Sequence, residues 1–243
     1  MVLSEKIPLP KKTPMTKKSE LIADYFPNIY LAVISLLQGI ALSQLVPIFL
    51  TYVEIAEHPW LDIHLLPILL MLLIIFTIWH HYAISIFFLR WFPNIIDTLV
   101  PFLVGVSQFV LISYLNIETS LSDMKMDDWT LGFAIFLMSG SFPYLAAAWR
   151  LEVDLFANMM SKKNALRHGE LTKKYYKWAG YSIFVQGLFV MLIVLLHQDR
   201  WLLFSLILLL SHLLLFEYCL LYRIKPHYVK SMDEFEADGH ASR

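Results

Sequence analysis

The sequence predicts an all-α polytopic membrane protein with six transmembrane helices and both termini cytoplasmic. Three observations carry that reading. Of the 243 residues, 58% are hydrophobic and 16% charged, and the mean hydropathy is +0.60; soluble chains run nearer ~45–50% and ~25%. The apolar residues gather in six runs, each about long enough to cross ~30 Å of hydrocarbon at ~1.5 Å per residue. The basic residues fall almost entirely between alternate runs.

Residues 1–24 hold Lys6, Lys11, Lys12, Lys17, Lys18 and three prolines. This is a basic solvated arm, expected to lack regular structure as far as Ser19–Tyr25. No cleavable signal peptide is expected, because the following apolar run exceeds the ~7–15 residues of such a segment. Pro27 suits the first turn of a helix, where its missing N–H is harmless. The transmembrane domain, 25–223, contains spans at 29–52, 63–89, 95–115, 129–149, 178–196 and 201–222. Trp60, Trp91, Trp129, Trp149, Trp178 and Trp201 lie at span ends, where indole rings prefer the headgroup layer, and Trp79 alone is internal. With the N-terminus inside, 17 of the 19 Lys and Arg are cytoplasmic, and the outer loops keep only Lys125 and Arg200. The first two outer loops are acidic, with Glu54, Glu57 and Asp62, then Glu118, Asp123, Asp127 and Asp128. Residues 197–200 make a tight hairpin of the last two spans.

The cytoplasmic segment 150–177 has an apolar helical face of Leu151, Leu155, Phe156, Met159, Met160 and Leu166. The fourth helix is therefore expected to run on past Trp149. Gly169 should break it, and Glu170 should open the next helix with Lys173 and Lys174 at its i+3 and i+4 positions. The basic residues suit anionic headgroups or a protein partner. The tail 224–243 is polar and basic-to-acidic. A single Cys219 excludes an intrachain disulfide and a Cys-rich metal centre, and reads as an inert buried thiol. No nucleotide loop, zinc spacing, nucleic-acid patch, acid–base pair or nucleophile constellation stands out, so no enzyme is indicated.

Polar groups inside the spans are the informative ones, because an unpaired amide or hydroxyl in hydrocarbon is costly. In the first span Ser35, Gly39, Ser43 and Pro47 recur every four residues on one helical face, flanked by Gln38 and Gln44. The stripe is expected to face other helices or water, either lining a pore or allowing close helix packing. Elsewhere lie His80, His81, Asp97, Gln108, Ser139, Ser141, Gln186, His212 and Glu217. His80 is ten residues from Arg90 and His212 eleven from Arg223, so both sit roughly 15 Å deep by the helical rise. An intramembrane polar layer of His80, His81, Asp97, His212 and Glu217 follows. Three readings stay open for it: a hydrogen-bonded lock between the second and sixth helices, an ion or proton path shared with the first span, or a bis-histidine b-type haem. No other cofactor or metal is indicated. Asp97 can pair with Arg90 around Pro93. Pro143, after Ser139-Gly140-Ser141, is expected to kink the fourth span.

Trp79-His80-His81 low in the second span, the basic turn after it and Pro101-Phe102 in the third together resemble the six-helix lysosomal and prokaryotic potassium-channel family. That resemblance implies a homo-oligomer, or paired repeats, with the first helix lining a path for monovalent cations. The family's Phe-Ser-Asp-Gly at the start of its first helix is absent. The nearest string is Ser35-Leu36-Leu37-Gln38-Gly39, so no pore residue is carried over. The leading expectation is an oligomeric ion-translocating protein of the cell membrane. The alternatives are a non-conducting scaffold that docks partners through 150–177 and a haem redox protein.

Overall fold

The computed structural model describes residues 17–60, 62–88, 95–151, 161–196, 201–219, 222, 224–226 and 230; within these, the side chains at 17–28, 84–88, 95–98, 150, 162 and 217 lie outside the description. Among the described residues the chain is all-helical: α1 (Lys17–Ile55), α2 (Leu65–Phe88), α3 (Ile95–Ser113), α4 (Met126–Arg150), α5 (Lys162–Leu196) and α6 (Leu202–Cys219), with a 3₁₀ turn at Leu121–Asp123. Four apolar stretches reach membrane length, namely Ile29–Ile55, Leu65–Ala83, Met126–Trp149 and Lys163–Leu196. Two shorter ones, Leu99–Ser113 and Leu202–Phe216, lie in α3 and α6.

Several boundaries differ from the sequence expectation. The first helix starts at Lys17 and runs 39 residues, through Pro27. A proline forfeits one backbone bond, and the helix formers Glu20, Leu21 and Ala23 carry the turn before it. α4 stops at Arg150: Leu151 is extended and its N–H closes on Ala147 O at 3.0 Å. Residues 152–160, which hold most of the expected apolar face, lie outside the described residues. α5 is unbroken across Gly169, which is buried. One helical glycine costs about 1 kcal/mol, less than the packing of that face returns. Trp129 does not present its indole outward. It is fully buried and stacked on Phe133 at 4.8 Å.

Helix neighbours run α1, α3, α4, α5, α6, α2 and back to α1, so the six close a ring. The interior is filled by Tyr52, Leu70, Met71, Leu115, Trp129 and Phe133 toward one end. A smaller aromatic cluster of Tyr175, Tyr176, Phe216 and Ile224 fills the other end. Large apolar side chains face outward on every helix, among them Leu36, Phe76, Val106, Ile135, Val185 and Leu214. An apolar belt of that extent suits acyl chains rather than water.

The tightest contact is α4 on α5. A Cβ on Gly187 would lie 2.9 Å from the Met138 backbone nitrogen and 3.0 Å from Ala134 O, and one on Gly180 would lie 3.2 Å from Ser141 O. Glycines seven residues apart let the two backbones meet, as small residues do between membrane helices. At the far end of α3, Lys125 N–H closes the loop on Tyr114 O at 2.9 Å. Inside it, Asp123 Oδ2 accepts from the backbone N–H groups of Thr119 at 2.7 Å, Ser120 at 2.8 Å and Glu118 at 3.2 Å. The N–H groups of Thr119 and Ser120 hold the Asp123 carboxyl below the usual carboxylate range.

Gly187→Leu is expected to cost about 2 kcal/mol or more, read as a lowered thermal midpoint in detergent, whereas Gly140→Ala, whose Cβ would meet nothing within 4 Å, should not lower that midpoint. Because the folded Asp123 value is depressed, the loop's extra stability is present above the unfolded carboxylate pKa of ~3.9 and lost as pH falls through the folded value. Amide exchange at Thr119 and Ser120 should accelerate in that window beyond its intrinsic pH trend, and Asp123→Asn should remove the effect.

Candidate functional site

α1 buries Ile34, Gln38, Ala41, Leu45, Ile48 and Tyr52, a three- and four-residue repeat that fixes its inward face. Ser35, Gly39, Ser43 and Pro47 fall opposite and are exposed, as is Gln44. Within one chain Gly39, Ser43 and Pro47 therefore face out of the ring, and Ser35 lies at the edge toward α2. Ser35 Oγ accepts from Trp79 Nε1 at 3.1 Å, and Ser43 Oγ donates to Ile40 O at 2.7 Å. The first bond crosses to α2 and the second is local; together they satisfy the hydroxyls and leave Gly39, Ser43 and Pro47 open.

Gln38 is on the inward face. Its amide pairs reciprocally with Gln108 of α3, both bonds at 3.0 Å, and both side chains are buried. Two amides head to tail each satisfy one donor and one acceptor, the form expected where water is excluded.

A second polar group lies deeper toward the aromatic end. Tyr30 of α1 meets Tyr82 of α2 at 5.5 Å, which sets Gln38 roughly 12 Å along the axis from the level of His81 by helical rise. The ring centroids of His81 and His212 are 6.0 Å apart, and both side chains are buried. His81 Nδ1 bonds the Tyr144 hydroxyl of α4, and its ring lies flat on Phe216 at 3.7 Å. His212 Nδ1 bonds Ser182 Oγ of α5 at 2.7 Å, and its ring stacks on Trp178 at 5.2 Å. Ser182 Oγ also donates to Ala179 O at 3.0 Å. The Ser182 hydroxyl thus bridges His212 Nδ1 and the Ala179 carbonyl. Nε2 of His212 finds no partner among the described residues. Tyr175 OH donates to Phe216 O at 3.0 Å and pins α5 to α6.

His81 and His212 thus come together. His80 turns outward instead and lines, with Phe76, Trp79 and Leu213, a shallow open groove of about 280 Å³. The side chains of Asp97 and Glu217 and the whole of Arg90 lie outside the described residues. A haem between α2 and α6 needs two imidazoles presented across an open slot. Phe216 covers the His81 ring and Trp178 covers the His212 ring, so the residues present do not fit a flat macrocycle there. Among the described residues no group of three His, Cys, Asp or Glu side chains could hold a metal ion.

Sequence reasoning missed Tyr144, Ser182, Trp178 and Phe216. Two i, i+4 pairs carried the signal: Trp178 with Ser182, and His212 with Phe216. Each places an aromatic ring beside a polar group on one helix face. The arrangement can lock three helices to α2 by neutral hydrogen bonds and ring stacking. Comparison with the models of known families, with curated proteins and with solved structures finds no match to this chain.

A Gln108→Leu substitution leaves the Gln38 amide buried alone and is expected to cost about 1–3 kcal/mol. The Gln38→Leu, Gln108→Leu double variant should recover most of that loss in a thermal-unfolding double-mutant cycle.

Proposed function

We propose that this chain is a six-span integral protein of the cell membrane, with both termini cytoplasmic, that assembles as a homo-oligomer and passes small monovalent cations between its copies. The membrane assignment rests on the four membrane-length apolar helices and the outward apolar belt. The orientation rests on the 17 to 2 division of basic residues. The single observation that carries the oligomeric path is the outward face of α1. The ring's interior is filled by side chains, so a path must run between chains, and Ser35, Gly39, Ser43 and Pro47 are exposed where a second copy would meet them. There hydroxyls and the Gln44 amide replace part of an ion's hydration, and the exposed Leu36 and Ile40 can close the path by dewetting. The potassium-channel resemblance agrees with this reading through Trp79-His80-His81. The His81–His212 group tunes the helix packing beneath it.

A second reading, a non-conducting accessory subunit, is favoured by one observation: α5 runs 35 residues. That is roughly 52 Å, beyond the ~30 Å hydrocarbon core, so its first turns reach past the bilayer with Lys163, Leu166, Arg167 and Glu170 exposed toward a partner.

Liposomes holding the purified chain should pass potassium, and the chain should be oligomeric in nanodiscs. Ser43→Leu is expected to cut flux about tenfold or more while oligomers persist. A monomer without flux overturns the channel. Impermeant maleimide should label Lys125→Cys but not Lys12→Cys in intact cells; the reverse overturns the orientation.

A further inference from the structure

The outward line of α5 changes character once along its length. Lys163, Arg167, Glu170, Lys174, Lys177 and Tyr181 recur at three- and four-residue spacing, share one face and are all exposed. Beyond Tyr181 the same line continues as exposed Val185, Leu188, Leu192 and Leu195. The switch from charge to hydrocarbon therefore falls between Lys177 and Val185, with a phenol at the boundary. α4 marks this end of the apolar line independently. Gly180 backs onto Ser141 and Leu145, so Trp149, 79% exposed near the end of α4, lies one to two turns further out, at the height of Lys174 and Lys177. An indole and a phenol within two turns of each other, bracketing the switch from charge to hydrocarbon, mark a headgroup layer.

We propose that this face of α5 is a docking site for an anionic phospholipid in the leaflet at the α5 N-terminal end. The inference rests on the membrane-spanning reading above. Lys174 and Lys177, neighbours at i and i+3, clamp the phosphate. One acyl chain follows Val185, Leu188 and Leu192. Arg167 and Lys163 stand further out and add positive potential over the headgroup, against one exposed carboxylate, Glu170, on the described face of α5. A phospholipid fits because it alone carries a phosphate and a hydrocarbon chain on one axis, matching both halves of the line. An acidic protein would use the charged half only. With the proposed orientation this is the cytoplasmic leaflet, the one rich in anionic lipid.

The test uses the full chain, reconstituted in bilayers of equal phosphatidylcholine and phosphatidylglycerol, then purified with its retained lipids counted by mass spectrometry. Phosphatidylglycerol should be retained over phosphatidylcholine by about fivefold, and the preference should shrink in high salt. Lys174→Gln with Lys177→Gln should bring the ratio to about one with helicity unchanged, and the double Arg variant should keep the enrichment. Equal retention in the natural chain, or enrichment that survives the Gln variant, overturns the proposal. So does displacement of the lipid by free glycerophosphate at matched concentration, which would make the lysines a soluble-anion site, or by an acidic peptide. Extraction of the chain by alkaline carbonate wash would instead sink the membrane reading itself.

Discussion

The backbone-to-backbone approach of α4 and α5 is the constraint on which the rest of the architecture depends. Gly180 and Gly187 admit the Ser141 and Ala134 carbonyls at 3.2 and 3.0 Å from where a Cβ would stand, closer than side chains ordinarily pack. That contact fixes the height and rotation of both helices. It sets Tyr144 where it can reach His81, and Ser182 where it can reach His212. Tyr175, on the same helix as the glycines, then ties α6 through Phe216 O. Three separate polar contacts thus share one steric origin. Without the small residues, ordinary side-chain packing would hold the helices several ångströms further apart.

Hydrocarbon surroundings explain the form these contacts take. Water cannot complete an unfilled hydrogen bond there, so polar side chains pair with each other or turn back on their own helix. The two glutamines do the first, and Thr77, Ser107 and Ser139 do the second by donating to carbonyls three or four residues earlier. The histidines do something further. Each spends Nδ1 on a hydroxyl and lays its ring on an aromatic face, so that a polar residue contributes flat apolar area.

The helical class and the approximate positions of the helices were legible because an uncharged apolar run of some twenty residues rarely forms anything but a membrane-length helix. Helix ends were less legible. Pro27 and Gly169 are local signals, and tertiary packing outweighed both. Trp129 reads as interfacial because a span-end indole usually is, but it has Phe133 as a buried neighbour, a fact of three dimensions. The depth arithmetic placed His80 level with His212, but depth carries no rotation, and it is His81 whose ring meets His212 while His80 faces the outer groove. The α1 stripe shows the same limit. A four-residue repeat identifies a face without saying which way it points. Ile34, Ala41, Leu45 and Ile48 decide that, by needing the interior more than Gly39 and Ser43 do.

The order of neighbours around the ring also constrains how the chain is made. As helices emerge from the ribosome, α1 can meet α2 and then α3, and α4 and α5 can join in turn, but α2 touches α6. That seam joins the two elements furthest apart in time among the ring's contacts. Until α6 arrives, the His81 ring can hold Tyr144 through Nδ1 but has no Phe216 to cover its face. A nascent chain stalled before its last helix would thus display a polar flag in the bilayer, a mark by which membrane proteases can tell an unfinished copy from a finished one.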